Sequence, residues 1–314
     1  MRVVRITDPG NTLARWVPAW ENDGTSLQLT VECMAFPVIR QSEWLDHVRR
    51  YVECHPDTLI QYEGKSTWWL TGLGNRHAVI HVLQHLTAVP KKTTFPYTVV
   101  PSYYARERLR KKGYRAFTIF PAVEGKTLPQ PNGARRRTLT LLLYQGATTK
   151  RLLRAVSSLS QKDLDVEWVL IGDKSERVKK VMRFLPQNKQ PIRIRTVEAG
   201  DLSAWQGGDV LVTDQHPVYS LNALHLRAMA NGIPVMTTDV GDHPEVVKHW
   251  HNGFLLELPR LQDDLSHYVQ HILRQPALLG QLRINGRSLC ETFHAKGHIL
   301  PKWQRLYELV GRHT

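Results

Sequence analysis

"YSLNALHLRAMANGIPVMTTDVGDHPEVV" (219–247) is the stretch on which the fold turns. "SLNALHLRAMA" reads as a helix, and Asn231 with Gly232 stops it, because both residues accept the left-handed turn that closes helices. "IPVMTTD" (233–239) then reads as a buried strand. Asp239, Gly241 and Asp242 shape a turn into a short helix, "HPEVVKHW" (243–250), and "GFLLEL" (253–258) is the last strand. Outward toward the N-terminus lie further strands at "GDVLVTD" (208–214), "IRIRTVE" (192–198), "VEWVLIGD" (166–173) and "TLTLLLYQG" (138–146). Helices are expected between them at "SERVKKVMRFL" (175–185) and "TTKRLLRAVSSLS" (148–160). Parallel neighbours need crossover connections, so this alternation predicts a mostly parallel sheet.

A similar series precedes it. "RVVRIT" (2–7), "SLQLTVE" (26–32), "TLIQYEG" (58–64), "HAVIHVLQ" (77–84), "YTVVPS" (97–102) and "AFTIFP" (116–121) read as strands. "NTLARWVPAWEND" (11–23), "QSEWLDHVRRYVECH" (41–55) and "YYARERLRKKG" (103–113) read as helices. Between the two series, "KTLPQPNGARRR" (126–137) carries two prolines, a glycine and no apolar period, which makes it the linker. The expected division is residues 1–128 and 129–299, two α/β lobes with a ligand cleft between them.

Composition narrows the classes. Hydrophobic residues make up 42% of the 314 and charged residues 22%, a globular balance. No apolar run approaches the roughly 20 residues of a membrane span, and no signal-like segment opens the chain, so a cytoplasmic protein is expected. Cys33, Cys54 and Cys290 lack metal-ligand spacing, and no metal is expected. The net charge of +14 suits nucleotides, polyanions and anionic membrane surfaces alike. It concentrates in "RERLRKKGYR" (106–115) and "ARRRT" (134–138), so peripheral membrane contact enters as an expectation. Nucleic acid is disfavoured for want of any helix-turn-helix, zinc or RNA-recognition pattern. A dehydrogenase is disfavoured because no GxGxxG follows the first strand.

Five stretches carry a resemblance in the right order: 97–125, "LYQGATTKRLLRAV" (143–156), "VEWVLIGD", "LHLRAMANGIPV" (224–235) with "PVMTTDVGDHPEVVKHWHNGFLLEL" (234–258), and the tail 275–310. Together they resemble GT-B glycosyltransferases of the family 4 kind, the glycosyl transferases group 1. The resemblance implies two Rossmann-like lobes facing a cleft, with the C-terminal helix (300–314) packed back on the first. It implies a retaining, metal-independent transfer from a UDP- or GDP-linked sugar to an acceptor the sequence does not identify, with no cofactor.

Site residues follow from chemistry and resemblance together. A helix N-terminus presents unpaired N–H groups and a positive dipole end to a diphosphate, which nominates Ser220, Leu221 and Asn222. The loop "QGATTK" nominates Gly146, for close backbone approach, and Thr148, while Lys150 supplies charge to a departing diphosphate. The resemblance matches Lys150 to the family's phosphate-binding lysine; Ala147 stands where an arginine is usual, leaving Arg151 as the nearest substitute. It places the nucleotide base by Gly172, Asp173 and the stretch from Val197, and matches Glu245. It nominates His81, over His85, at the cleft in a sugar-contacting role. Where the family has two glutamates eight positions apart, this chain has Tyr219 and Arg227. A guanidinium only donates hydrogen bonds, so a carboxylate's contact to ribose hydroxyls is lost, though Arg227 could pair with a phosphate instead. A catalytically inactive relative serving as partner to an active glycosyltransferase is the alternative.

Overall fold

The computed structural model describes residues 2–7, 30–35, 50–51, 54, 58–63, 79–83, 97–124, 138–144, 148–160, 164–172, 192–196, 205, 207–214, 220 and 222–312. The helix expected at 175–185, the helix at 11–23, most of that at 41–55 and the linker at 126–137 lie outside them. The chain divides into two compact units, Met1–Ala122 with Val218–Ser220 and Ala295–Thr314, and Val123–Pro217 with Leu221–His294.

The first unit holds β1 (Arg2–Thr7), β2 (Thr30–Ala35), β3 (Thr58–Glu63), β4 (Val79–Val82), β5 (Tyr97–Val100) and β6 (Phe117–Thr118), in the order β2-β1-β3-β4-β5-β6. Every pair is parallel. Helix α1 (Tyr103–Arg110) follows β5; Ser102 is its N-cap, the hydroxyl accepting from Ala105 N at 3.1 Å. Gly113, at φ +83°, ends the segment, with Tyr114 N donating to Leu109 O. Ala105 and Leu109 are the buried side of α1, packed with Leu83 and Val100. This unit's core is covered by a helix from the far end of the chain (Lys296–Gly311), whose Ile299, Trp303, Leu306, Tyr307 and Val310 form one apolar stripe. That stripe packs on Val3, Leu59, Ile80, Val82 and Val99, and burying five such side chains contributes on the order of 10 kcal/mol before ordering entropy. The Tyr307 hydroxyl donates to Gln61 Oε1 on β3, satisfying a polar side chain with no solvent access.

The second unit holds β7 (Leu139–Tyr144), β8 (Val166–Gly172), β9 (Ile192–Thr196), β10 (Val210–Thr213), β11 (Val235–Thr238) and β12 (Gly253–Leu256), again all parallel, in the order β12-β11-β10-β7-β8-β9. Chain order runs outward in both directions from β7, so the sheet reverses between β7 and β10, as in dinucleotide-binding folds. Among the described residues its helices are α2 (Lys150–Ser160), α3 (Asn222–Ala230), α4 (His243–Val246), α5 (Leu261–Arg274) and α6 (Pro276–Leu289); a short π-helix (Cys290–His294) then leads to α7, the helix Lys296–Gly311 described above. Alternate residues Leu139, Leu141 and Leu143 of β7 face a core built with α2 and α5. Helix α3 is buried on all sides except at Arg227. It closes with Ile233 N donating to Ala228 O and Gly232 at φ +73°, the turn its Asn-Gly pair predicts. The expected helix over 243–250 stops at Val246: Val247 is extended, and the buried Asn252 side chain accepts from Lys248 N and donates to Val246 O.

Candidate functional site at the sheet reversal

In open parallel sheets ligands bind beyond the carboxyl ends of the strands, where the strand order reverses. Here that place is fixed by the pairing Val210↔Leu141, Leu211↔Leu142 and Val212↔Leu143, which sets the ends of β7 and β10 side by side. Each of the two strands leads into a helix, α2 after β7 and α3 after β10, and neither helix has an acidic residue in its first turn. Two positive dipole ends therefore start from neighbouring strands with nothing in their first turns to cancel them.

Thr148 and Thr149 shape the first of these starts. The Thr148 hydroxyl donates to Tyr144 O at 2.7 Å, tying Thr148 to the end of β7. Thr149 is the N-cap of α2, its oxygen accepting from Leu152 N at 3.3 Å. The same hydroxyl donates to Asp214 Oδ2, from the buried carboxylate that follows β10. The reversal point is thus tied across by one side-chain hydrogen bond. Lys150 and Arg151, the first two residues of α2, are exposed and add two mobile-tipped charges to the helix end. Asn222, first in α3, and Ser220 before it are buried. Arg227 lies in the last turn of α3, half-buried, its carbonyl accepting from Asn231 N and Nδ2. Glu245 is half-buried in the first turn of α4. Gly172 ends β8 opposite Thr196 of β9. Gly146, Asp173, Val197, Tyr219 and Leu221 lie outside the described residues.

His81 falls within the strand expected at 77–84. It is inside β4, opposite Tyr62 of β3, with no solvent access and its ring stacked on that tyrosine at 5.7 Å. The apolar run continues through Val82 and Leu83, which carries the strand past the histidine. His85 lies outside the described residues.

A buried polar chain beside the reversal point has no counterpart among the sequence expectations. His225 Nε2 on α3 lies 2.9 Å from Thr213 Oγ1 at the end of β10, and Thr213 donates to Thr237 Oγ1 on β11 at 2.8 Å. His243 Nδ1 on α4 lies 3.1 Å from Thr237 Oγ1 and donates to Thr238 O at 2.8 Å. Since Thr213 spends its proton on Thr237, its oxygen accepts from His225, which fixes the Nε2–H tautomer there. The rings meet edge to face at 5.0 Å. Burial holds the His225 pKa well below the usual range, and the nearby His243 lowers it further. Burial also lowers His243, opposed by its bond to Thr238 and by Asp214 and Asp239. A second proton on His225 would have no acceptor among the described residues, because Nδ1 has no hydrogen-bond partner. Both histidines are thus built in as neutral hydrogen-bonding parts. The one sequence signal was threonine at the ends of successive apolar strands, in "VLVTD" and "VMTTD".

The architecture, two all-parallel α/β units with this reversal, is the GT-B glycosyltransferase fold. Residues 143–289 match the family of glycosyl transferases group 1, a span that runs from the last two residues of β7 to the end of α6. No curated protein matches the sequence. Among solved structures, HepE of Anabaena in complex with UDP-glucose superposes with a TM-score of 0.77 at 13% identity, covering 98% of this chain and 99% of that one. Sucrose-phosphate synthase from Thermosynechococcus elongatus gives 0.74 at 17% identity, covering 100% of both chains. A glycosyltransferase from Rickettsia africae gives 0.70 at 12% identity, covering 100% of this chain and 99% of that one.

Proposed function

We propose that the chain transfers a sugar from a nucleotide diphosphate-linked donor, held beyond the carboxyl edge of the second unit's sheet, to an acceptor of unidentified chemistry. The observation that carries this reading is the pair of helix N-termini, α2 and α3, starting from neighbouring strands at the reversal point with no acidic residue in either first turn and with Lys150 at the head of one. A departing diphosphate is stabilised by backbone N–H groups, helix dipoles and a lysine, with no step that requires a metal. The retention of anomeric configuration is carried over from the family resemblance. Uridine nucleotides are the first donors to test, because HepE is described in complex with UDP-glucose.

Arg227 sets the specificity question. In place of a carboxylate that accepts from ribose hydroxyls, it offers donors only, and suits a phosphate oxygen better than a sugar hydroxyl. Calorimetric titration of UDP, GDP and UDP-glucose into the wild type and an Arg227→Glu variant tests the reading. Micromolar binding of one nucleotide to the wild type supports a working donor site. Binding that appears only in the variant shows a fold whose donor site has been abandoned, and favours the role of a non-catalytic partner.

A further inference from the structure

The sugar-nucleotide reading leaves the most basic stretch of the first unit without a role. Helix α1 and the turn after it carry Arg106, Arg108, Arg110, Lys111, Lys112 and Arg115, against a single carboxylate, Glu107, which pairs with Arg110 at 2.8 Å and Arg106 at 3.9 Å. Apart from half-buried Arg106, the other five cations are exposed, while the opposite side of the helix is anchored in the core through Ala105 and Leu109. The charge is therefore mounted on a fixed element. Beside it stand two large exposed rings, Tyr103 at 52% and Phe117 at 37% exposure. Each is backed by another ring, Tyr103 by Phe120 at 5.2 Å and Phe117 by Tyr97 at 6.5 Å.

We infer that this face docks on an anionic lipid bilayer. Cations flanked by exposed aromatic rings match a headgroup layer, where phosphates meet guanidinium and ammonium groups and rings settle at the interface. A nucleic acid would also answer the charge, but it binds basic aromatic surfaces by stacking bases on ring faces. One face of each ring is taken up by the chain itself: the Arg106 guanidinium lies over Tyr103 at 5.1 Å, that of Arg108 over Tyr104 at 5.8 Å with its Nη1 donating to the Tyr104 hydroxyl at 3.0 Å, and Phe117 stacks on Tyr97. The outer edges of the guanidiniums still meet phosphate oxygens.

The test is co-sedimentation of the full chain with vesicles of phosphatidylcholine alone and with roughly one-third phosphatidylglycerol. Two triple variants are compared, Arg108→Glu/Arg110→Glu/Lys111→Glu on the patch and Lys302→Glu/Arg305→Glu/Arg312→Glu on the exposed side of α7 and its C-cap. Both change net charge equally and alter only exposed residues. The expected result is binding to the anionic vesicles alone, weakened about a hundredfold by the patch variant at a rough tenfold or less per lost contact, and less than about threefold by the α7 variant. Equal losses in the two variants would reduce the effect to net charge and overturn the proposal, as would failure of the wild type to sediment. A single-stranded oligonucleotide that binds the same patch more tightly than the vesicles would overturn it in favour of nucleic acid. Unchanged thermal melting of both variants keeps misfolding out of the comparison.

Discussion

Acid should loosen the second unit through His225 and His243. Both are buried as neutral rings, His225 with no solvent access and His243 at 1%, and both folded-state pKa values lie below the ordinary 6.5. A depressed histidine pKa means that the unfolded chain takes up the proton first, so stability is full above pH 6.5 and falls as pH drops below it. At pH 5.5 a histidine that stays neutral in the folded state costs about 1.4 kcal/mol relative to pH 8. The perturbation that isolates this is His225→Leu, which removes one titrating group and leaves the Thr213–Thr237 bond in place. Urea unfolding of wild type and variant at both pH values is the assay. With a slope of about 2.5 kcal/mol per molar, the acid-induced fall in midpoint should be smaller in the variant by about 0.5 M. Midpoints that fall in parallel would refute the account of His225 as a neutral buried group.

Three further outcomes follow from particular contacts. Arg283→Met strands the Asp209 carboxylate, which is 8% exposed, pairs with Arg283 at 2.7 Å and also accepts from Thr140 N; a loss of about 3 kcal/mol is expected in chemical denaturation. Tyr307→Phe removes the hydroxyl that donates to buried Gln61 and should cost about 1–2 kcal/mol in the first unit, read as faster amide exchange in α7. Cys290 is buried, its thiol pushed up to about 12 by burial and by Glu291, so iodoacetamide at pH 8 should label exposed Cys54 and spare Cys290, as peptide mass spectrometry would show.

Much of the fold is legible because buried parallel strands announce themselves as apolar runs: "TLTLLLY" and "DVLVT" needed no context to be read. The stop of α3 was equally plain, since Asn231 and Gly232 supply the left-handed closing turn. Strand order was not legible. The two sheets share an alternating pattern yet run β2-β1-β3-β4-β5-β6 and β12-β11-β10-β7-β8-β9, and periodicity carries no information about which strand pairs with which. Lys150 was nominated from its loop, but the Thr149–Asp214 bond that holds that loop joins residues 65 positions apart. The His225–Thr213–Thr237–His243 chain escaped for the same reason: each member sits in an apolar segment, and only the side-by-side placement of β10 and β11 brings them together.

The central claim is that a nucleotide diphosphate binds at the carboxyl edge where β7 and β10 meet. Hydrogen-exchange mass spectrometry of the full chain with and without saturating UDP or GDP tests it most directly. Protection should concentrate in peptides covering 144–153 and 209–227, and the Lys150→Ala variant should need at least about tenfold more nucleotide to reach it. Protection confined to the first unit, or absent with every nucleotide at millimolar concentration, would contradict the account.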